Sequence, residues 1–304
     1  MKNIWRINCK PGEQLYSQKN QFEFWIKEEI IAIGWSTAEG CTENLEDKNY
    51  TVKEIKDCME KLHYEKKWKT KSFKAATNIF VERMEIGDYI WLRCGNTYKL
   101  GKIKSECFYN LNSKDFEDKR QIGFYRKVEY LNKDFSESEV PGKIVASYRA
   151  RNTVQVVEDY NNIILKYCQS IFSGVIYKIN IENWNTFLHS SDIEEIVGLY
   201  LQVEKGLYVY TSTNKKDTAE IEFELVDKLG NLYGIQVKSG NTSINALDFI
   251  KISQRIKIYL FAANDNIINL EGKENIEKID VKTITEFIKQ WKHILPKRIK
   301  IFFE

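Results

Sequence analysis

The segment TAEIEFELVDKLGNLYGIQVKSG, residues 218–240, leaves little choice of local fold. Ile221, Phe223 and Leu225 alternate with Glu220, Glu222 and Glu224, and Ile235 and Val237 alternate with Gln236 and Lys238. A period of two sends successive side chains to opposite faces of a strand. Lys228-Leu229-Gly230 suits a three-residue hairpin loop, with Gly230 in the left-handed position that makes a bulge. Asp227 then pairs with Asn231, Glu222 stands opposite Gln236, and Glu220 stands opposite Lys238. A two-residue loop would set Phe223 opposite Gln236 and mix the faces. One sheet face therefore gathers Glu220, Glu222, Glu224, Gln236 and Lys238. Alternation alone is the ordinary pattern of a half-solvated hairpin, where Glu and Lys simply pair. The same groups are also hard oxygen donors suited to Mg²⁺, beside a lysine able to position or deprotonate a water.

The residues before this hairpin add a carboxylate. Ser191-Asp192 precedes apolar positions Ile193, Ile196, Val197, Tyr200 and Leu201, the spacing of an amphipathic helix with a capped start. Glu194 falls at the edge of that apolar stripe, within reach of the sheet. Glu195 points away and reads as a solvated helix charge. A strand over 256–261, a helix over 281–293 and a last strand over 298–302 complete a small α/β sheet domain spanning 192–304.

Residues 1–158 read differently. Short apolar runs at 4–7, 30–34, 89–93, 100–103 and 125–130 indicate strands, with helices over 52–62 (Thr51 as N-cap) and roughly 73–84 between them. Residues 159–191 connect the two parts through a helix over 160–172 and an irregular run near 183–189. A length of 304 residues fits two domains, and 43% hydrophobic residues suffice for their cores. Lys+Arg (46) nearly balances Asp+Glu (43), so any nucleic-acid surface must be a local patch. Lys66-Lys67-Trp68-Lys69-Thr70-Lys71-Ser72-Phe73-Lys74 is one such run: its lysines can grip a phosphate backbone or line a solvated loop. Three dispersed histidines and no C-x-x-C pair argue against structural zinc and against His-based catalysis. No run of 18 apolar residues exists, and MKNIWRINCKPGEQ has no signal-peptide core, so a cytoplasmic protein without membrane partners is expected.

Two family resemblances sharpen these readings. Ile193-Glu194-Glu195-Ile196-Val197, Glu222-Phe223-Glu224-Leu225 and Gln236-Val237-Lys238-Ser239-Gly240 resemble the three motifs of the PD-(D/E)xK nuclease superfamily, in its Mrr-like branch. The second-motif acid is Glu222 rather than the usual Asp, and Glu220 or Asp217 could compete for the role. By this resemblance Glu222 and Gln236 are metal ligands for Mg²⁺ or Mn²⁺, with the Val237 carbonyl as a further donor, and Glu194 binds a second metal or anchors Lys238. Glu194, Glu222, Gln236 and Lys238 form the catalytic set, with Lys238 orienting the attacking water. In the first part, the ordered series Ile4-Trp5-Arg6-Ile7, Ile31-Ala32-Ile33-Gly34-Trp35, Asn78-Ile79-Phe80, Ile86-Gly87-Asp88-Tyr89-Ile90-Trp91, Tyr98-Lys99-Leu100-Gly101-Lys102-Ile103, Tyr125–Tyr130 and Val140-Pro141-Gly142-Lys143 resembles EVE-like members of the PUA superfamily.

The resemblances imply a two-domain α+β protein: a small PUA/EVE-like β-barrel with helices, then a mixed-sheet nuclease core. PUA-like barrels hold a flipped-out base in a snug pocket. Trp35, after the Gly34 turn, is the leading pocket candidate, followed by Trp5, Trp91 and Tyr98. Trp91 lies in a continuous apolar strand and is first of all a core residue, and Asp88 is a turn residue before it is a base-edge acceptor. The expected protein is a modification-dependent DNA endonuclease of a restriction system, acting in antiviral defence and working as a homodimer. A non-catalytic nucleic-acid-binding module and an RNA-directed nuclease are the rival readings.

Overall fold

The structure is a computed structural model that describes residues 2–9, 17–34, 51–65, 70–110, 122–159, 162–175, 181–210 and 221–303. Contacts divide the chain into two compact units. The first comprises Met1–Val140 and Ile144–Tyr177, the second Pro141–Lys143 and Lys178–Glu304.

The first unit runs β1 (Ile4–Asn8), α1 (Gln18–Lys27), β2 (Ile30–Ile33), α2 (Val52–Glu65), α3 (Thr70–Thr77), β3 (Tyr89–Cys94), β4 (Thr97–Ile103), β5 (Phe108–Tyr109), β6 (Phe124–Ser136), α4 (Gly142–Ser147), β7 (Val154–Val156) and α5 (Ile163–Ser173). The helix α4 begins on the stretch counted with the second unit. The sheet order is β2-β6-β4-β3-β1-β7, with β5 alongside β6. Among the described residues β2 and β7 remain edges, so the pairing is an open, curled sheet rather than a closed barrel. Both faces are covered. Trp5, Ile7, Ile90 and Leu92 enter one core, while Ile4, Tyr89 and Trp91 enter the other. Burial on both sides explains the unbroken apolar run Tyr89-Ile90-Trp91-Leu92.

Several expectations needed correction here. Helix α1 was missed, although Ser17 caps it by accepting the Asn20 N–H at 3.1 Å and Phe22 and Trp25 anchor it. The helix expected over 73–84 starts at Thr70 and passes into a π-helix, Asn78–Arg83. The guanidinium of Arg126 donates to the Phe80 and Val81 carbonyls of that turn and to Ser105, which accounts for its complete burial. The predicted cap of α2 is a capping box: Thr51 Oγ1 accepts from Glu54 N at 3.3 Å, and Glu54 Oε2 accepts from Thr51 N at 2.8 Å.

The second unit runs α6 (Trp184–Phe187), α7 (Ser190–Val203), β8 (Tyr208–Val209), β9 (Phe223–Val226), β10 (Leu232–Lys238), β11 (Ile244–Asn245), α8 (Ile250–Ser253), β12 (Lys257–Ala262), β13 (Ile267–Ile268), β14 (Ile276–Lys278), α9 (Val281–Trp291) and α10 (Lys297–Lys300). Its sheet order is β14-β12-β10-β9-β8, with β10, β12 and β14 parallel and the β8-β9-β10 side antiparallel. Helix α7 packs on the Phe223 face: a Cβ on Gly198 would stand 3.2 Å from the Phe223 ring. The opposite face carries a second core with Ile258, Leu260, Ala246 and Phe249. The strand expected over 298–302 is instead α10. Pro296 stands at the N-cap, where its carbonyl accepts from Ile299 N and Lys300 N at 2.9 Å, and Ile299 and Phe302, three residues apart, are both buried. Helix α7 is capped by His189, whose Nδ1 accepts the Ser191 N–H at 3.2 Å, not by Ser191 or Asp192. No helix among the described residues is long and apolar enough to cross a membrane.

Candidate functional site

The β9–β10 hairpin has the register its loop demands. Leu232, Tyr233, Gly234 and Ile235 pair with Val226, Leu225, Glu224 and Phe223. The Asp227 N–H donates to the Asn231 carbonyl at 3.1 Å, and Gly230 takes φ +86°. Asp227 ties the turn together: Oδ1 accepts from Leu229 N and Asn231 N at 2.8 and 2.9 Å, and Oδ2 accepts from Asn231 Nδ2 at 2.8 Å. These bonds, the Asn231 side chain first, hold the Asp227 carboxyl below its usual value.

One detail departs from strict alternation. The chain bends at Glu222 and carries Ile221 away from Phe223. The Ile221 Cδ1 comes within 3.2 Å of where a Gly234 Cβ would stand, and Ile221 joins the core with Ile258 and Leu260. The Glu222 carboxylate still meets Gln236. Gln236 Nε2 donates to Glu222 Oε1 at 2.8 Å and lies 3.4 Å from the Val237 carbonyl oxygen. Lys238 Nζ stands 3.8 Å from the same Glu222 oxygen. Gln236 is buried at 6% exposure, whereas the Glu222 and Lys238 side chains keep 30% and 44%. The set therefore rests on a buried amide and opens to solvent at its two charges.

Three of the four expected catalytic residues, Glu222, Gln236 and Lys238, are thus brought together. Glu194 is half-buried on α7. Glu195 is not the free helix charge that periodicity suggests: Arg298 binds it through Nη2 and binds Asp192 Oδ1 through Nε at 2.7 Å. Asp192 is 1% exposed, and its Oδ2 has no hydrogen-bond partner. Burial pushes its carboxyl above the usual value against the downward pull of Arg298. The alternative acids Glu220 and Asp217 lie outside the described residues.

The oxygen chemistry suits a small hard cation. Glu222, the Gln236 amide and the Val237 carbonyl offer the kind of donors that Mg²⁺ takes while keeping several waters. As placed, the amide turns nitrogen towards Glu222; a half-turn of the carboxamide exchanges nitrogen for oxygen. No group of three or more His, Cys, Asp or Glu side chains gathers among the described residues, so this one-carboxylate set is a lean one.

The proposed base pocket in the first unit requires correction. Trp5 is 1% exposed and donates its Nε1–H to Asp88 Oδ2 at 2.7 Å. Asp88 also accepts from the backbone of Asn3 and Glu85, so it is a buried brace between β1 and the turn before β3. Trp91 and Tyr98 are fully buried, and Tyr98 donates its hydroxyl to Glu137 Oε2 at 3.0 Å. These four residues are buried framework, the role expected first for Trp91 and Asp88 and a correction for Trp5 and Tyr98. Trp35, Lys66, Lys67 and Lys69 lie outside the described residues. Lys71 is exposed on α3, and Lys74 there is engaged by Glu60 at 2.5 Å.

Sequence pattern does not announce β8. It brings Tyr208 and Tyr210 to the edge of the hairpin, and two aromatics two residues apart were the available signal.

A family model described as a domain of unknown function (DUF8426) matches residues 5–155. No curated protein matches the chain. Among solved structures, the crystal structure of a repair endonuclease from Pyrococcus abyssi is similar with a TM-score of 0.20 and 12% identity, over 62% of this chain. This chain spans 63% of that chain's length. A likeness at that level carries no weight for fold or activity.

Proposed function

We propose that the protein is a metal-dependent endonuclease that hydrolyses DNA phosphodiesters at the Glu222–Gln236–Lys238 set. The observation that carries this reading is the meeting of a carboxylate, a buried amide and a lysine at one hairpin register, with Gln236 Nε2 and Lys238 Nζ both converging on Glu222 Oε1. The Mrr-like PD-(D/E)xK resemblance of residues 192–261 supports it. Glu222, Gln236 and the Val237 carbonyl would hold Mg²⁺ or Mn²⁺, with Glu194 as a further carboxylate. A cation there supplies Lewis acidity to the scissile phosphate and makes water a better nucleophile.

The chain's own residues do the rest. Lys238 orients the attacking water and offsets the charge that grows on the phosphorane as the new P–O bond forms and the old one breaks. Glu222 holds the ammonium of Lys238 in place. Without a cation the buried Gln236 amide N–H holds Glu222 from the other side, and turning its oxygen inward would trade that bond for a metal contact. The attacking water gives up a proton to bulk solvent, and the leaving oxygen takes one up from solvent on the open side of the set.

Recognition of a modified base, as an EVE-like reader in a restriction system directed at foreign DNA, belongs to the same proposal. It rests on the ordered series in residues 1–155 and on Trp35. A homodimer would give one centre per DNA strand.

Lys238→Ala is the direct test. It should lower Mg²⁺-dependent cleavage by about 10²-fold or more and leave DNA affinity within about twofold, because a lysine at the reacting phosphate acts mainly in the transition state. Cleavage at the wild-type rate would remove Lys238 from the site.

A further inference from the structure

The face that carries the proposed centre extends to the sheet edge, where it turns aromatic. Tyr208 pairs with Val226 and Val209 with Leu225, and the Tyr210 N–H donates to the Glu224 carbonyl at 3.0 Å. Residues directly opposite in a ladder share a face. Phe223 lies against α7, and alternation places Leu225 and its partner Val209 on that side. Tyr208 and Tyr210 therefore stand on the other side, with Glu224, Gly234 and Gln236. Both are exposed, at 53% and 42%. Val226 and the 41%-exposed Leu232 continue the Tyr208 row across the sheet.

The spacing suits successive unstacked bases. Two residues along a strand are about 6.8 Å apart, and Tyr210 stands opposite Glu224, two residues along the chain from Glu222 at the bend that opens the strand. Bases within an intact duplex are stacked on one another and have no π-face to offer a protein ring. An unpaired strand has one at every base, and aromatic side chains on a sheet are a general way of holding it.

From this geometry, and resting on the nuclease reading above, we infer that Tyr208 and Tyr210 are substrate-positioning residues. They stack unpaired bases of the strand whose phosphate lies at Glu222 and Lys238. The substrate class is then nucleic acid with unpaired nucleotides beside the scissile bond, such as a single strand, a fork or a flap, in preference to uninterrupted duplex.

The test uses the full-length protein without divalent cation, so that binding is read apart from cutting. Single-stranded DNA, single-stranded RNA, forked DNA and continuous duplex would each carry a 2-aminopurine reporter. The variants are Tyr208→Ala/Tyr210→Ala and Tyr208→Phe/Tyr210→Phe, each checked for an unchanged melting temperature. The inference predicts quenching of the reporter in single strands and forks. It predicts about tenfold weaker binding of those substrates for each ring removed, full rescue by phenylalanine, and no change for duplex. The DNA and RNA arms show which strand chemistry is held. Equal losses on duplex and single strand, or no loss on any substrate, would overturn the platform. Cleavage with Mg²⁺ is scored separately: cutting that survives the alanine pair unchanged sinks the platform and keeps the nuclease, whereas tyrosine-dependent stacking without any cutting does the reverse.

Discussion

Glu222 and Lys238 would be an ordinary cross-strand ion pair were it not for the amide beneath them. Gln236 is 6% exposed and spends its amide N–H on Glu222 Oε1 rather than on water. A buried polar side chain of this kind is retained at a cost unless it is satisfied, and here its partner is the group assigned to hold the cation. Asp192 is the other costly residue. Its Oδ2 is unpartnered, and a Cβ on Gly142 would stand 2.1 Å from it, so Gly142 is what leaves room for the carboxylate. Because the folded state raises the Asp192 carboxyl, the native protein binds that proton more tightly than the unfolded chain. The stability this contributes is complete below the ordinary Asp range of about 3.9 and is lost as pH rises through the raised value. Asp192→Asn removes the titration. Denaturant midpoints of the wild type and Asp192→Asn should therefore diverge in favour of the variant as pH rises from about 4. A gap that moves the other way would mean that Arg298, not burial, controls Asp192.

At the scale of elements, the long pair β4–β6 depends on one residue without a side chain. A Cβ on Gly101 would meet Val128 Cγ1 at 2.4 Å and Tyr130 Cδ1 at 3.0 Å, at the point where the ladder shifts register between Lys99 and Gly101. Gly101→Ala should cost about 1–3 kcal/mol by overpacking, read as a lower urea midpoint; an unchanged midpoint would show that the bulge absorbs the methyl. The same scale shows what a sequence reveals. The hairpin register was legible because Gly230 and strict alternation admit one pairing. The capping box of α2 was legible because Thr51 and Glu54 are local. Helix α1 was not, since in QKNQFEFWIK the apolar face is little more than Phe22 and Trp25. The bend at Glu222 was invisible because the core that Ile221 joins there, with Ile258 and Leu260, lies across the sheet and not along the chain. The burial of the candidates Trp5 and Tyr98 escaped the sequence for a similar reason, while Trp35 lies outside the described residues. Trp5 and Asp88 lie 83 residues apart, so nothing local signals that each satisfies the other in the core.

For the whole molecule, the chain divides into two compact units, and the proposed function gives them separate tasks, reading to the first and cutting to the second. The near-neutral charge means that affinity for nucleic acid must come from particular residues rather than a general field, such as the exposed pair Tyr208 and Tyr210 at the hairpin edge. Division of labour also predicts that damage to the cutting set leaves recognition intact. If Glu222, Gln236 and Lys238 form a Mg²⁺-dependent phosphodiesterase centre, the protein should hydrolyse nucleic acid across a defined substrate panel. Wild-type protein would be incubated with unmodified DNA, DNA carrying modified cytosines, and RNA, each as single strand, fork and duplex, in Mg²⁺ or in EDTA. Strand scission is expected in Mg²⁺ alone, strongest on modified DNA with unpaired nucleotides. Scission that persists undiminished in EDTA, or intact nucleic acid across the whole panel, would contradict it.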